Sequence, residues 1–319
     1  MRRQLMGEFD FIARHFRPLA GRGAMELRND GATMSLPEGG ELVLSSDTMV
    51  EGLHFLPDDP PYTVAQKLLR CNLSDLAAMG SRPQHYMLNV SVPSGRHYNE
   101  DWFTRFAAGL AADQKQYDIS LLGGDTTGSP SPLMLNVTIL GSVRQGEALR
   151  RDGAQPGDGV WVTGSLGRAA LGLQVRLGKL NGGKTSLVEA YRVPTPRIGL
   201  SLYGIVSAAM DISDGLLQDC GHIAEESGVG ITLFEEELPF APEVMAHMET
   251  HREMILLGGD DYELLMTCPV TQEAALQAHC KEHDVPLTKV GTVREGRGVA
   301  MLDKQRRPIN FSRTGWQHF

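Results

Sequence analysis

The sequence has few aromatic residues, only 6% of 319, and it has no long apolar run. A membrane-spanning helix needs roughly 18 or more mostly apolar residues, so we expect no association with a membrane. The first residues, "MRRQLMGEFDFIARHF", lack the apolar segment of a signal peptide. We therefore expect a protein of the cytoplasm.

Positive charge is also scarce. The chain has 30 Lys and Arg residues against 39 Asp and Glu, a net charge of −9. Because nucleic acids and anionic surfaces are bound by clustered basic residues, we expect no nucleic-acid partner. The acidic excess fits either a solvated surface or a set of metal ligands, and the positions of the acids have to decide between them.

Cysteine occurs only four times, at scattered positions without a C-x-x-C pair: Cys71, Cys220, Cys268 and Cys280. Structural disulfides and zinc sites need paired or regularly spaced cysteines. We predict reduced thiols.

Hydrophobic residues make up 41% of the chain, enough for two ordinary cores. The segment "QGEALRRDGAQPGD" at 145–158 is rich in glycine and charge, and a new strand, "VWVTG", follows it. We place a domain boundary there, giving domains 1–148 and 149–319. Strand and helix patterns alternate in both halves, which predicts the α/β (α+β) class.

Three predicted elements matter for the function. A strand over 41–45 is expected to end in a polar loop, "SSDT". Two helical patterns are expected on either side of a break at 72–75, "NLSD". A short strand, "ISLL", is expected to end in the turn "GGDTT" at 123–127.

The two halves share short, similar segments, which we call the internal repeat. "NLSDLAAMG" at 72–80 resembles "DISDGLLQD" at 211–219, and "LLGGD" occurs at 121–125 and again at 256–260. This internal repeat favours two domains with acidic turns in comparable positions.

Five short acidic segments carry the candidate chemistry: "NDGA" (29–32), "SSDT" (45–48), "NLSD" (72–75), "GGDT" (123–126) and "DISD" (211–214). Each one alone has a structural explanation, as a helix cap or a turn. Together they would place many carboxylates at strand ends, where mutual repulsion requires cations. Mg²⁺ binds one or two carboxylates at a time together with phosphate oxygens. The pattern therefore predicts metal-assisted phosphoryl transfer.

A second phosphate-binding candidate is "GKLNGGKT" at 178–185, which matches the P-loop pattern G-x-x-x-x-G-K-[ST]. A P-loop needs a strand before it, whereas the residues before Gly178 have helical spacing. We interpret the segment as an exposed turn between two helices.

The motifs "SSDTMVEGLHF", "NLSDLAAMG", "GGDTT", "RRDGAQPGD", "DISDGL", "GGDDYEL" and "GWQHF" occur in order along the chain. In this order they closely resemble thiamine-monophosphate kinases, which share a superfamily with aminoimidazole ribonucleotide synthetase, selenophosphate synthetase and a hydrogenase maturation protein. The resemblance implies a two-domain fold like that of aminoimidazole ribonucleotide synthetase. Its N-terminal mixed sheet would pair in a homodimer, and its C-terminal domain would be α/β.

The implied reaction is Mg²⁺-dependent phosphorylation of thiamine monophosphate to thiamine diphosphate, with ATP as co-substrate. Catalysis would rest on Asp75, Asp125, Arg151 and Asp214. Several Mg²⁺ ions would be bound by Asp30, Ser45, Ser46, Asp47, Asp75, Asp125, Asp211 and Asp214. The ATP phosphates would contact Gly124, Asp125, Arg151 and Ser213. Thiamine monophosphate would contact His54, Glu263 and Trp316.

The sequence departs from the family pattern at three places. Ser46 stands where threonine is frequent, which keeps the hydroxyl oxygen. Asn29 precedes Asp30 where a second aspartate is common, which weakens the expected cation binding there. Asp260 replaces a common glutamate. Two alternatives remain at this stage: a catalytically silent nucleotide-binding module and a P-loop NTPase. A selenophosphate synthetase would need a reactive cysteine near the N-terminus, but none precedes Cys71.

Overall fold

The structure is a computed structural model that describes residues 8–27, 32, 34, 36–94, 98–130, 132–180, 185–311 and 315. It divides into two compact units. Unit 1 comprises residues 1–76 and 82–146, and unit 2 comprises 77–81 and 147–319. The predicted α/β (α+β) class is confirmed, since both units combine helices with a mixed sheet.

Unit 1 is built on a four-stranded sheet in the order β1-β4-β2-β3. Strand β2 pairs antiparallel with β4 and parallel with β3, and β1 pairs antiparallel with β4. The strands are β1 (Gly40–Val50), β2 (Arg82–Pro93), β3 (Ser120–Ser129) and β4 (Met134–Arg144). The helices are α1 (Glu8–His15), α2 (Pro61–Ala78) and α3 (Glu100–Tyr117), with 3-10 turns at Arg17–Leu19 and Arg22–Leu27.

The two faces of this sheet differ in burial. Alternate residues of β4, namely Leu135, Val137 and Ile139, are completely buried, because side chains of a strand alternate between the faces. The opposite face, which we call the open face, carries exposed apolar side chains: Leu42, Leu44, Met87 and Met134.

Unit 2 contains a six-stranded sheet in the order β10-β7-β9-β5-β8-β6. Among the strands that the structure describes in this sheet, only β7 and β10 pair in parallel. The strands are β5 (Gly159–Thr163), β6 (Ala208–Asp211), β7 (Gly230–Phe234), β8 (Leu264–Cys268), β9 (Leu287–Arg294) and β10 (Gly298–Leu302). The helices are α4 (Arg168–Arg176), α5 (Thr185–Arg192), α6 (Leu216–Glu226), α7 (Pro242–Met245), α8 (Met248–Leu257) and α9 (Glu273–Glu282), with 3-10 turns at Glu235–Glu237 and Val270–Gln272.

Both faces of the unit 2 sheet are covered. Val160 and Val162 of β5 pack in one core with α6, and Trp161 between them packs in a second core with α9. This explains why β5, β6 and β8 are buried along their whole length. The four cysteines are buried and form no disulfide. In the described part of the chain, none of the helices combines the length and the apolarity that a bilayer crossing needs.

Three predicted turns are wrong. Strand β1 continues through "SSDT" to Val50, and β3 includes the whole of "GGDTT". Helix α2 runs without a break through "NLSD". Asn72 is tolerated inside the helix because its side chain is satisfied: Nδ2 donates to the carbonyl of Leu68, and Oδ1 accepts the Asp47 N–H.

The two copies of the internal repeat therefore do not have similar local structures. "NLSDLAAMG" lies in helix α2 and the turn after it, whereas "DISDGLLQD" runs from a strand through a loop into α6. The first "LLGGD" lies in β3, and the second joins the end of α8 to a loop. The prediction for "GKLNGGKT" is confirmed at both flanks, because helix α4 precedes it and helix α5 begins at Thr185. Residues 181–184 lie outside the described residues.

Candidate active site

In unit 1, strand β1 and helix α2 bring three of the predicted cation ligands together. The hydroxyl of Ser45 donates to Oδ2 of Asp75 at 2.5 Å, and the carboxyl groups of Asp47 and Asp75 are hydrogen-bonded to each other. Because β1 is an edge strand, the Asp47 N–H can donate to a side chain, and it does so to Oδ1 of Asn72 at 3.1 Å. Helix α2 is thereby fixed against the strand, and it presents Asp75 to Asp47.

The electrostatics of this group fit a cation. Burial raises the pKa of Asp47, while the hydrogen bond with Asp75 and the nearby His54 act to lower it. Two adjacent carboxyl groups share a proton when no cation compensates their charge. All the available donor atoms are hard oxygens, the type that Mg²⁺ prefers.

On the open face, a row of side chains connects all four strands. Thr48, Asn136, Asn89 and Asp125 are consecutive partners across β1, β4, β2 and β3. Asn136 Nδ2 donates to the carbonyl of Asp47 at 3.0 Å, and also to Ser46 Oγ and Thr48 Oγ1. Asn89 Nδ2 donates to Asn136 Oδ1, and Asn89 Oδ1 accepts the Asp125 N–H at 2.9 Å. We call these four residues the amide row.

The amide row places Asp125 on the opposite face from Asp47. Cross-strand partners project to the same face, so the side chain of Asp125 shares the open face with Ser46 and Thr48. Within unit 1 the structure therefore brings Ser45, Asp47 and Asp75 together, but it does not add Asp125 to them. The sequence pattern did not indicate this separation.

Gly124, a predicted phosphate contact, has a backbone conformation that requires glycine. Its φ angle is +151°, and a Cβ atom would lie 1.7 Å from the carbonyl oxygen of Leu88. The chain thus passes unusually close to β2 just before Asp125, and the side chain of Asn89 supplies the acceptor for the next N–H. The backbone of β3 is exposed at this point.

His54 lies in the turn after β1. Its Nδ1 accepts the backbone N–H of Val50 at 3.0 Å, and its carbonyl accepts a hydrogen bond from Lys67 Nζ. The imidazole is therefore oriented by its own turn. Asp30 and Trp316, the first and last residues of the predicted site, lie outside the described residues.

In unit 2, the predicted strand-to-helix junction is present. Strand β6 ends at Asp211, and Ser213, Asp214 and Gly215 form the loop before α6. The N–H groups of these three loop residues all donate to Oδ2 of Asp219, at 3.1, 3.2 and 3.1 Å respectively.

Two residues of this region were missed by the sequence analysis, Asp219 and His222. Ligand atoms of Asp214, Asp219 and His222 all lie within 4.8 Å of one another, a group that could hold a metal ion. Burial, together with the charges of Asp211 and Asp214, raises the pKa of Asp219 to about 8, against the lowering effect of hydrogen bonds from the loop N–H groups. The sequence signal that could have identified them is their spacing of three residues in a predicted helix, which places both side chains on one face.

Arg151 differs from its neighbour Arg150. The guanidinium of Arg150 binds both carboxylate oxygens of Asp152 at 2.9 and 2.6 Å. Arg151 is exposed, and within the described residues its guanidinium has no hydrogen bond or ion pair. Its backbone is held, since its carbonyl accepts a bond from Ser227 Oγ. Of the two arginines, Arg151 is the one available to an anionic ligand.

Glu263 is buried and fully engaged. Arg197 donates to both carboxylate oxygens at 2.6 Å, and Thr163 Oγ1 donates to one of them at 2.7 Å. The preceding loop is strained, because Asp260 and Tyr262 have positive φ angles of 68° and 50°. A ligand at Glu263 would meet a carboxylate whose position is already fixed.

Two family models match most of the chain. Residues 28–143 match the family model "AIR synthase related protein, N-terminal domain", and residues 155–304 match the corresponding C-terminal domain. The chain is 40% identical to the thiamine-monophosphate kinase of Caulobacter vibrioides, over 98% of this chain and 90% of that protein.

Solved structures give the same result. The thiamine-monophosphate kinase of Stenotrophomonas maltophilia is 40% identical, with a TM-score of 0.79 over 86% of this chain and 89% of that chain. The structure of AaThiL complexed with AMPPCP and TMP is 30% identical, with a TM-score of 0.78 over 91% of both chains. Identity of this extent over nearly the whole length shows that the chain belongs to the thiamine-monophosphate kinase family.

Proposed function

We propose that this protein transfers the γ-phosphate of ATP to the phosphate of thiamine monophosphate, giving thiamine diphosphate and ADP. The observation that carries the proposal is full-length identity of up to 40% with thiamine-monophosphate kinases. The related AaThiL structure contains AMPPCP together with TMP, so that protein binds both ligand types at once. Such joint binding is what a direct transfer between the two substrates requires.

The chemistry needs positioning more than proton transfer. The acceptor is a phosphate oxygen that already carries negative charge, so no general base is required. The dominant demands are in-line alignment and neutralisation of charge on the transferred group. The uncommitted guanidinium of Arg151 suits the second role, because its planar donors match phosphate oxygens. Gly124 is exposed and Ser213 is half-buried, so the proposed phosphate contacts would be made by the backbone of Gly124 and the side chain of Ser213.

The donor atoms fit Mg²⁺, for which Ser45, Ser46, Asp47, Asp75, Asp125, Asp211 and Asp214, with Asp30, are the proposed ligands. Bound Mg²⁺ would supply positive charge between these carboxylates and the polyphosphate oxygens. The residues themselves hold the geometry: α2 fixes Asp75 against Asp47, and the amide row fixes the backbone at Asp47 and Asp125.

The thiamine moiety is proposed to contact His54, Glu263 and Trp316. His54 is oriented by Val50, and Glu263 by Arg197 and Thr163, so both would present fixed polar groups to the substrate. The aromatic ring of Trp316 would stack on the cationic thiazolium.

The protein is further proposed to act as a homodimer in the cytoplasm. Leu42, Leu44, Met87 and Met134 on the open face are 36 to 53% exposed, and apolar patches of this kind are typical of interfaces. A Leu44→Glu variant should be monomeric by analytical ultracentrifugation where the original chain is dimeric. A dimer that survives this change would refute an interface through the open face.

The proposed reaction is tested by incubating the purified protein with ATP, Mg²⁺ and thiamine monophosphate, and separating the products by chromatography. We expect thiamine diphosphate and ADP in equal amounts. Free thiamine serves as a matched acceptor without the phosphate nucleophile. Normal ATP binding without formation of thiamine diphosphate would refute the proposal.

A further inference from the structure

The loop between β6 and α6 has an unusual hydrogen-bond arrangement. Three consecutive backbone N–H groups, those of 213–215, converge on a single oxygen, Oδ2 of Asp219. Consecutive N–H groups that point to one spot form a binding site for an anion. Here the anion is a side chain of the same chain, five residues after Asp214.

This arrangement is more than the capping of a helix. Helix α6 begins at Leu216, so the N–H groups of Ser213 and Asp214 belong to the loop, outside the helix. The bonds to Asp219 therefore fix the loop.

Burial makes the carboxylate costly at this position. Asp219 is only 1% exposed, and it lies among the buried residues Leu217 and Cys220. A buried charge is unfavourable unless it is hydrogen-bonded or paired, and the neighbouring Asp211 and Asp214 carry charge of the same sign. An apolar residue would suit the core better, so the carboxylate serves the loop and not the stability of α6.

The loop is held from the other side as well. The carbonyl of Ser213 accepts the N–H of Asp260 at 2.8 Å, and the carbonyl of Ile212 accepts the N–H of Tyr262 at 2.8 Å. A side chain on Gly259 would collide with the carbonyl of Ser213. The backbone of Ser213 is thus held between Asp219 and the 258–262 loop.

We propose that Asp219 is a positioning residue that uses Oδ2 to fix the backbone of Ser213 and Asp214, and so sets their side chains for the polyphosphate and its Mg²⁺. Its kinetic consequences rest on the proposed function, whereas the anchoring itself does not. The side chain of Asp214 receives one further restraint, a hydrogen bond from Gln218 Nε2 at 3.0 Å.

The anchoring is tested by hydrogen exchange of the Ser213–Gly215 amides in the metal-free protein, compared between the original chain, Asp219→Ala and Asp219→Asn. Asparagine keeps an acceptor oxygen for the three N–H groups and removes only the charge. We expect exchange at least about tenfold faster in the alanine variant and largely restored protection in the asparagine variant. Unchanged exchange in Asp219→Ala would overturn the proposal.

The matched control is Asp158, another buried aspartate of unit 2. Its Oδ2 accepts the Gln155 N–H and the Ser207 hydroxyl, and Ser207 lies just before the beginning of β6, away from Asp211. Asp158→Ala should lower the urea midpoint without changing exchange at 213–215. A general loss of stability is thereby separated from a local loss of anchoring.

The kinetic consequence is measured as kcat, the KM for thiamine monophosphate and the Mg²⁺ concentration for half-maximal rate. Loss of a residue that orients metal ligands lowers metal affinity or activity by about 10- to 100-fold. We expect a loss of this size in the kcat and the Mg²⁺ affinity of Asp219→Ala. The KM should change less than about twofold. Asp219→Asn should recover most of the rate. An asparagine variant with protected amides but the low rate of alanine would overturn the positioning role, because the charge itself would then be required.

If the original chain shows no kinase activity, the proposed function fails, while the exchange experiment still decides whether Asp219 anchors the loop. If Asp219→Ala does not fold, the anchoring is tested by comparing Asp219→Asn with the original chain. Exchange of the 213–215 amides in Asp219→Asn as fast as in an unstructured peptide would contradict the anchoring by Oδ2.

Discussion

The two units hold their acidic residues in different ways. In unit 1 the residues Asp47, Asp75 and Asp125 lie within regular strands and a helix, and side-chain amides fix the backbone around two of them. In unit 2 the residues Ser213 and Asp214 lie in a loop that a buried carboxylate holds from within.

This difference has a physical consequence. A carboxylate on a strand or helix takes its position from the backbone hydrogen bonds of the whole element, so it needs little local support. A carboxylate in a loop has no such ladder and needs its own anchor. The acidic residues are therefore positioned by regular elements in unit 1 and by a single buried side chain in unit 2.

The largest expected effect is the loss of a proposed ligand in either unit. Asp75→Ala and Asp214→Ala should each lower kcat by about 10²- to 10³-fold, because each removes charge stabilisation of the transferred group. Asp101→Ala, which removes an exposed acid at the start of α3, is the control and should retain the rate. An active Asp75→Ala enzyme would remove unit 1 from the site.

Arg151 provides the next comparison, within one dipeptide. Arg151→Ala should reduce kcat by about 10²-fold, since no other group replaces its charge at the phosphates. Arg150→Ala should leave the rate nearly unchanged, because Arg150 is paired with Asp152. Steady-state kinetics at saturating ATP measure both variants. The reverse order of effects would show that the wrong arginine was assigned.

The amide row is expected to matter less. Asn89→Ala removes the acceptor of the Asp125 N–H and should cost about tenfold in Mg²⁺ affinity. Ser91→Ala, two residues later on the same strand and face, is its matched control. Equal Mg²⁺ requirements of the two variants would contradict this prediction and would mean that the backbone of β3 positions Asp125 without Asn89.

The smallest effect is expected at Lys184. In the sequence, the lysine of the P-loop-like segment falls between helices α4 and α5, whereas a P-loop needs a strand before it. Lys184→Ala should change kcat and the KM for ATP by less than about twofold. An inactive Lys184→Ala enzyme would support the P-loop interpretation.

Much of unit 2 could be predicted from the sequence, because its strands and helices are separated by clear changes of period. The junction at Asp211 and Asp214 is one example. In unit 1 the polar residues Asn72 and Asp75 suggested a turn, since helical interiors rarely hold them. Their partners, Asp47 and Ser45, come from a strand about thirty positions away, and sequence patterns do not show such contacts.

Other features depend on strand register, which the sequence does not reveal. Asn89 and Asn136 form a row only because β2 and β4 pair in one register, and that register also places Asp125 on the open face. Asp219 was missed for a different reason. Its position in α6 is that of an ordinary polar helical residue, and only the loop N–H groups distinguish it.

One measurement tests the central claim most directly. The protein is incubated with thiamine monophosphate and ATP labelled at the γ-phosphate, with and without Mg²⁺. We expect the label in thiamine diphosphate, in an amount equal to the ADP formed, and only when Mg²⁺ is present. Label released as inorganic phosphate without thiamine diphosphate would contradict the proposed transfer.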